Sequence, residues 1–348
     1  MKRAEALSVR EADQILSTLF VVQPVKTQRR RRTKAGCIAL ALAACLLSVC
    51  NVAAQDLGPN IRKLTDGIYV YVGNDRPDDL GPESNVGIVL TRAGVVVIDT
   101  GQNVLATRAV EAAIKKLTSQ PVRYVIATET HGDHHAGDFV FSPPGVSIAH
   151  EGTTAALRDR EPADPARVEK LRASSPEMRA AFEGYHFVLP DIEYRHKLTL
   201  NVGERTFELL YLGSGVHSEA DTAVWLPKER VLFSASVVVN KQFNVIRPWL
   251  TIPDILAATK MFKGLNPEFV IPGHGAPGTV KIFEDMDQYY ALLVDRVDKM
   301  VKEGKSLEQI QKELKMPEYD LWMSKNRIPG NIEMAYRFVS ARLVFKDN

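Results

Sequence analysis

The sequence predicts an α/β protein in which two β-sheets pack face to face and helices cover their outer sides. Two observations lead to this prediction. Beyond residue 60, short β-branched runs alternate with helical segments. The runs also fall into two groups, at 68–150 and 197–275, which a charged stretch at 152–184 separates. Two strand groups of this kind, in a chain of 348 residues, are typical of two sheets that share one core.

The first group contains five runs that are bounded by turn residues. They lie at 68–73, 86–91, 95–101, 124–128 and 146–150. Between the third and fourth runs, apolar residues at helical spacing predict a helix over 104–118. The charged stretch that follows is predicted to be helical and interrupted by its three prolines.

The second group contains five more runs. They lie at 197–202, 207–213, 222–227, 230–239 and 269–275. A helix is predicted over 253–264, before the last run. The C-terminal part is predicted to be helical, because apolar residues from Met286 to Met300 are spaced for one buried face and Gly304 follows as a stop.

The N-terminal 54 residues differ from the rest of the chain. They carry nine Lys and Arg against three Asp and Glu, which leaves the remaining residues mildly acidic and gives no electrostatic reason to expect nucleic-acid binding. A basic segment, a short apolar run and Val52-Ala53-Ala54 predict a signal peptide with a long basic n-region at 1–54, cleaved after Ala54. An uncleaved anchor is the alternative, although the apolar run is short for a membrane span.

The predicted signal peptide implies a secreted or periplasmic protein that is not inserted in a membrane after cleavage. Leu42-Ala43-Ala44-Cys45 resembles a lipobox, so a lipoprotein tethered through Cys45 is the alternative. Residues 55–280 are predicted to form one domain, and 281–348 a C-terminal helical extension packed on it. The oligomeric state stays open.

The segment TETHGDHHAG at 128–137 follows a predicted strand and concentrates groups that bind metals. Alternate residues of an extended segment share a face, so Glu129, His131 and Asp133 converge, and the start of a helix turns His134 toward them. Imidazole nitrogen and carboxylate oxygen are the donors that divalent ions such as Zn²⁺ prefer. The segment therefore predicts a metal site.

Two further histidines occupy matching positions. His217 in GSGVHSEAD follows the run at 207–213, and His274 in PGHG follows FVI. Loops at strand ends are where such scaffolds gather functional groups. Three histidine-bearing loops of this kind favour one shared site.

This combination resembles the metallo-β-lactamase superfamily of zinc hydrolases over roughly residues 64–280. The family motif is His-x-His-x-Asp-His after a strand, then a distant His in a Gly/Ser-rich turn and a late Gly-His. An early Asp-x-Gly turn is matched by Asp99-Thr100-Gly101. The resemblance implies an αβ/βα sandwich of two mixed sheets flanked by helices, with two zinc ions at one edge.

Carried over residue by residue, the resemblance places His131 and His217 at a first metal position, and Asp133, His134 and His274 at a second. Glu129 fills the slot of the family's first histidine. It is interpreted as a substitute ligand, with a carboxylate outside the ligand shell as the alternative. Asp133 and Glu129 are the predicted catalytic residues.

Further residues are expected around the ligands. Asp99 and Asp221 are predicted to orient them. Ser236 stands where many family hydrolases carry a bridging aspartate, a departure that some zinc β-lactamases share. Three residues are candidates for substrate contact, namely Lys241, Phe243 and Trp249.

The predicted function is zinc-dependent hydrolysis of a small-molecule ester, lactone or amide, with β-lactams included, by a metal-bound hydroxide. Zinc lowers the pKa of a bound water from about 15.7 to about 7. Two alternatives stay open. One is a lactonase or thioesterase of the same fold without β-lactam activity. The other is a catalytically silent metal-binding relative, which the departure at Glu129 favours.

Overall fold

The computed structural model describes residues 56–73, 83–213 and 216–346, with side chains described as far as residue 342. The predicted signal peptide at 1–54 and Cys45 lie outside the described residues. Within the described part of the chain, no helix is both long and apolar enough to cross a membrane.

The first sheet has seven strands, which lie in the sheet in their sequence order. Their bounds are β1 Ile61–Thr65, β2 Ile68–Tyr71, β3 Val86–Thr91, β4 Gly94–Ile98, β5 Val122–Ile126, β6 Val146–His150 and β7 Ile192–Tyr194. Strands β1 to β4 pair antiparallel, and β4 to β7 pair parallel. The parallel strands bring their carboxyl ends to one edge, where ligand sites of α/β sheets form.

The second sheet has five strands in the order β12-β11-β10-β9-β8. Their bounds are β8 Lys197–Val202, β9 Arg205–Tyr211, β10 Thr222–Leu226, β11 Val231–Phe233 and β12 Phe269–Ile271. Only β11 and β12 pair parallel, while the other described neighbours in this sheet run antiparallel. Both sheets are therefore mixed, as predicted.

The helices lie between strands of the first sheet, between β11 and β12, and after β12. They are α1 Val104–Leu117, α2 Gly132–His135, α3 Asp138–Phe141, α4 Glu151–Arg160, α5 Asp164–Ser174, α6 Pro176–Ala181, α7 Ile252–Gly264, α8 Lys281–Lys302, α9 Leu307–Glu313 and α10 Ile328–Lys346. Short 3-10 turns lie at Glu161–Ala163, Ala235–Val237, Pro317–Tyr319 and Lys325–Arg327.

Three layers of buried side chains show how these elements stack. One core lies between the sheets and takes residues from both, such as Ile126 and Phe207. A second core joins the outer face of the first sheet to α1. A third joins the second sheet to α7, α8 and α10, so the C-terminal helices pack on the same sandwich. The order helix, sheet, sheet, helix confirms the predicted fold class.

Local sequence explains where the two principal helices begin and end. Helix α1 begins after Asn103, whose side chain accepts a hydrogen bond from the amide of Ala106. Helix α8 buries the apolar face predicted for it, including Met286, Tyr290 and Leu293. Soon after its end, Gly304 adopts a positive φ of 79°.

Several predicted strands run past the observed strand ends, and the largest difference lies in the second sheet. The run at 230–239 is a strand only from Val231 to Phe233. Ala235 then adopts a left-handed φ of 51°, and the chain turns into a 3-10 helix. Val237 and Val238 are buried in the third core, and Val239 forms only an isolated parallel bridge with His274. This early turn places Ser236 at the sheet edge beside His134.

Candidate metal centre

The predicted ligands lie on loops at one edge of the sandwich. One loop follows β5, another joins β9 to β10, and a third follows β12. The amide of Thr222 donates to the carbonyl of Thr128 at 2.8 Å, which ties the start of β10 to the end of β5. Hydrogen bonds between the two sheets therefore fix the distance between loops that are far apart in sequence.

Six side chains form two groups at this edge. The first group is Glu129, His131 and His217. The second group is Asp133, His134 and His274. Within each group, one nitrogen or oxygen of every side chain lies within 4.8 Å of the others, so each group can hold a metal ion.

In the first group the donors converge on Glu129. Its Oε2 contacts Nδ1 of His131 and lies 3.7 Å from Nε2 of His217. The two imidazole rings meet edge to face, with centroids 5.1 Å apart. Glu129 is fully buried, and the His131 side chain is 25% exposed, so the group opens to solvent on the side of His131.

In the second group the donors converge on Asp133. Its Oδ2 lies 3.2 Å from Nε2 of His274 and 3.6 Å from Nε2 of His134. Nε2 of His134 also lies 3.1 Å from Oε1 of Glu129. The groups are therefore adjacent, and Glu129 and His134 are the side chains that join them.

The outer nitrogens of the second group have acceptors. Nδ1 of His134 lies 2.8 Å from Oδ2 of Asp99. Asp99 adopts a left-handed φ of 58° and accepts hydrogen bonds from the amide and hydroxyl of Thr128. Nδ1 of His274 lies 3.2 Å from the carbonyl oxygen of Glu83. With Nδ1 donating outward, Nε2 of each ring is left to bind a metal.

The other two predicted supporting residues act differently from Asp99. Asp221 accepts hydrogen bonds from the backbone amides of His217, at 2.6 Å, and Ser218, at 3.0 Å, and so orients the loop and not the imidazole. Oγ of Ser236 lies 2.9 Å from Nε2 of His134. Gly273 permits this approach, because a Cβ there would lie 2.4 Å from the Ser236 hydroxyl.

The electrostatics of the site favour bound positive charge. Burial alone would lower the pKa of His134, but the carboxylates of Glu129, Asp99 and Asp133 raise it to about 10. Burial would raise the pKa of Asp133, and His134 brings it down to about 2. Burial and the charge of Glu129 raise the pKa of Asp221 to about 7. Three carboxylates around one imidazole stabilise a cation, whether a proton or a metal ion.

Two buried atoms test whether a metal ion fits. Among the described residues, Oε1 of Glu129 and Nδ1 of His217 have no hydrogen-bond partner. A buried polar atom without a partner is costly, so an unsatisfied carboxylate oxygen aimed into a cluster of imidazoles fits a ligand role. The donor set of carboxylates and imidazoles suits divalent ions such as Zn²⁺. The residues present therefore fit a metal site.

The three predicted substrate contacts have different outcomes. Phe243 is 1% exposed and packs against Tyr289 and Trp322 in the third core, which favours a packing role over substrate contact. The Lys241 ammonium pairs with Asp285 on α8 and lies over the Trp322 ring, which directs it away from the ligands. Trp249 is 50% exposed and stays a prediction.

Sequence reasoning missed residues that touch the ligands. Nη2 of Arg247 lies 2.6 Å from Nε2 of His131. The hydroxyl of Ser84 donates to the carbonyl of Asp133, and the Asn85 amide donates to Pro272 and Gly275 on either side of His274. These residues lack a motif. The only sequence signal for Arg247 was a lone cation within a mostly apolar run.

Comparisons with known proteins agree with this architecture. A family model described as the metallo-beta-lactamase superfamily matches residues 81–274. A metallo-beta-lactamase type 2 from Bacteroides fragilis is 23% identical over 69% of this chain and 88% of its own. The alpha subunit of a 2,4-dinitroanisole O-demethylase from Nocardioides sp. (strain JS1661) is 26% identical over 52% of this chain and 49% of its own.

Solved structures share the fold. A metallo-beta-lactamase from Pontibacter korlensis superposes with a TM-score of 0.52 and 19% identity, over 66% of this chain and 96% of its own. The sec-alkylsulfatase Pisa1 from Pseudomonas sp. superposes with a TM-score of 0.60 and 18% identity, over 80% of this chain and 50% of its own. The family match spans more than half of the chain and confirms the predicted family. The chain therefore belongs to the metallo-beta-lactamase superfamily, whose members are metal-dependent hydrolases.

Proposed function

We propose that the chain is a zinc-dependent hydrolase of a small ester, lactone or amide, with β-lactams among the candidates, and that it holds two zinc ions. The observation that carries the proposal is the adjacency of two groups of three donors, joined by the 3.1 Å contact between Glu129 and His134. Two ligand sets this close are the arrangement that two-metal hydrolysis requires.

The protein's own residues have distinct roles in this proposal. The first group would hold one ion and the second group the other. Bound zinc supplies an acidified water and polarises a carbonyl oxygen. Asp133 orients the nucleophile from the side of the second group, and the Glu129 carboxylate lowers the net charge of the first. Asp99 keeps the His134 ring in place, and burial of Glu129 and His134 excludes bulk water from the junction between the groups.

The substrate class rests on the printed names of relatives as well as on the site. Two relatives are named as metallo-beta-lactamases, one as an O-demethylase subunit and one as a sec-alkylsulfatase. A sulfate ester is the second candidate substrate, because the superposition on the alkylsulfatase extends over 80% of the chain, further than that on the Pontibacter lactamase. The predicted signal peptide supports an exported enzyme.

A hydrolysis screen tests the proposal. The zinc-loaded chain is assayed with a chromogenic cephalosporin, acyl lactones, aryl esters and an aryl sulfate. Activity should be lost on chelation and restored by zinc. His134→Ala should abolish it, while His186→Ala, at an exposed histidine outside both groups, should leave it unchanged.

The pattern of turnover separates the candidates. Cephalosporin opening that His134→Ala removes would assign the chain to β-lactam hydrolysis. Turnover of lactones or esters alone would assign a lactonase or esterase of the same fold. Zinc binding without turnover of any substrate would contradict the proposal in favour of a catalytically silent relative.

A further inference from the structure

A guanidinium lies against the first group of donors. Arg247 is half-buried in the segment between the 3-10 turn at Ala235–Val237 and α7. Its Nη2 lies 2.6 Å from Nε2 of His131. Two contacts fix the segment from the C-terminal helix, since Arg337 donates to the carbonyl of Pro248 at 2.5 Å and Asn331 to that of Asn244 at 3.1 Å.

Donor and acceptor chemistry fixes the His131 tautomer in this arrangement. An arginine side chain only donates hydrogen bonds, so Nε2 of His131 has to accept. An imidazole with an acceptor at Nε2 carries its proton on Nδ1. That proton faces Oε2 of Glu129, which accepts it. Both ring nitrogens of His131 are therefore satisfied by hydrogen bonds alone.

The same arrangement blocks the first group as a metal site. Nδ1 is the His131 atom that meets the Glu129 carboxylate, on which Nε2 of His217 also converges. A metal ion bound among these donors needs the Nδ1 lone pair, and the ring proton then moves to Nε2, because losing it altogether would leave an imidazolate, which is unfavourable at neutral pH. Arg247 then faces an N–H group that cannot accept its hydrogen bond. The hydrogen bond from Arg247 and metal binding by Nδ1 therefore exclude each other.

The second group has only a weaker competitor among the described residues, because the Ser236 hydroxyl, 2.9 Å from Nε2 of His134, can turn its proton away, which a guanidinium cannot do. Its two outer imidazole nitrogens face acceptors, the Asp99 carboxylate and the Glu83 carbonyl. These acceptors hold a proton on Nδ1 of each ring, so Nε2 is the nitrogen that would bind a metal. The two groups thus differ at their outer ring nitrogens. Arg247 donates to that of His131, whereas Asp99 and the carbonyl of Glu83 accept from those of His134 and His274.

We propose that Arg247 is a positioning residue that closes the first group, so that the first ion binds only when Arg247 is released. This inference rests on the proposed metal site. It predicts one tightly bound ion in the second group and a weaker one in the first. The positive charge of Arg247 adds to the effect, because it repels a divalent ion at short range.

Zinc titration of the chelator-treated full chain tests the proposal. Stoichiometry and affinity are measured by equilibrium dialysis with metal analysis, and no activity is needed. Wild type should bind one ion tightly and a second more weakly. Arg247→Met should tighten binding of the weaker ion, in the first group, by about tenfold or more, as expected for the loss of one charged hydrogen bond. Arg108→Met, at an exposed arginine that pairs with Glu111 on α1, should leave both affinities unchanged.

A spectroscopic measurement tests the tautomer directly. Correlation spectra of the imidazole nitrogens in the zinc-free wild type should show one proton on His131, at Nδ1. A proton on Nε2 would overturn the proposal, as would two ions that bind wild type and Arg247→Met with equal affinity. That last result would leave the proposed function standing. A chain that binds no zinc in any variant would overturn both.

Discussion

The two groups of donors lie side by side, yet the protein supports them in different ways. In the second group, Asp99 and the carbonyl of Glu83 face the outer nitrogens of His134 and His274. In the first group, the outer nitrogen of His131 faces Arg247, and Nδ1 of His217 has no partner among the described residues. The second group is therefore arranged for a metal before one binds, and the first is not.

This difference shows that ligand identity alone does not set the affinity of a metal site. Each group has two imidazoles and one carboxylate. What differs is the second layer of contacts, which fixes the ring orientation and the position of the ring proton. A site whose outer contacts agree with metal binding needs little rearrangement, whereas the first group has to break a hydrogen bond.

The largest effect is expected when one histidine is removed from each group in turn. His274→Ala should weaken the tighter zinc ion by more than about a hundredfold, because it removes a ligand and its contact with Asp133. His217→Ala should leave that ion in place and remove the weaker one. Metal analysis after dialysis against a graded chelator measures both effects. Equal loss of both ions in the two variants would contradict the comparison.

A smaller effect is expected when the Asp99 carboxylate, which holds the His134 ring, is changed. Asp99→Asn should weaken the tighter ion by about 10- to 100-fold, because an amide holds the His134 ring less firmly than a carboxylate does. Asp221→Asn is the matched control, since the hydrogen bonds described for Asp221 come from residues 217 and 218 of the other histidine loop. Competition with a chromogenic chelator gives the affinities. A larger loss of affinity for the tighter ion in Asp221→Asn than in Asp99→Asn would contradict the roles assigned to these two aspartates.

A further effect is expected in the first group. Glu129→Gln should weaken the affinity for the looser ion, in the first group, by about tenfold while the tighter ion is retained. The amide keeps an oxygen donor but loses the charge. The same zinc titration measures it. Unchanged binding of the looser ion would indicate that Glu129 lies outside the ligand shell, which is the alternative interpretation of this residue.

The sequence predicted the elements of the site that depend on local pattern. Strand ends placed the histidine loops at one edge, and the period of an extended segment placed Glu129 beside His131, whose side chains are in contact. The six predicted ligands come together in two groups without an outlier. Pattern suffices here because the backbone geometry of a strand end is the same in many proteins.

The contacts that depend on tertiary packing were beyond the sequence. Arg247 reaches His131 only because the segment before α7 is held by the C-terminal helix. Phe243 is four residues away and has no contact with the ligands, since it turns into the third core. Nothing in the local composition distinguishes the two directions. The predicted end of β11 was also wrong, because a buried turn can be as rich in β-branched residues as a strand.

The last effect concerns the stability of the fold behind the second group and not metal affinity. Asp138 is buried and accepts a hydrogen bond from the hydroxyl of Thr100, whose backbone amide donates to the carbonyl of His134. Burial raises the pKa of Asp138 from 3.8 to about 8. The folded chain thus keeps a proton that the unfolded chain releases, so stability falls as pH rises from about 4 to about 8, by at most about 1.4 kcal/mol per pH unit.

Asp138→Asn removes this loss, and urea unfolding of the zinc-free chain should show its advantage growing from pH 5 to pH 8. Asp159→Asn, at an exposed aspartate, should follow wild type at every pH. An Asp138→Asn curve parallel to wild type would show that Asp138 is ionised in the folded protein.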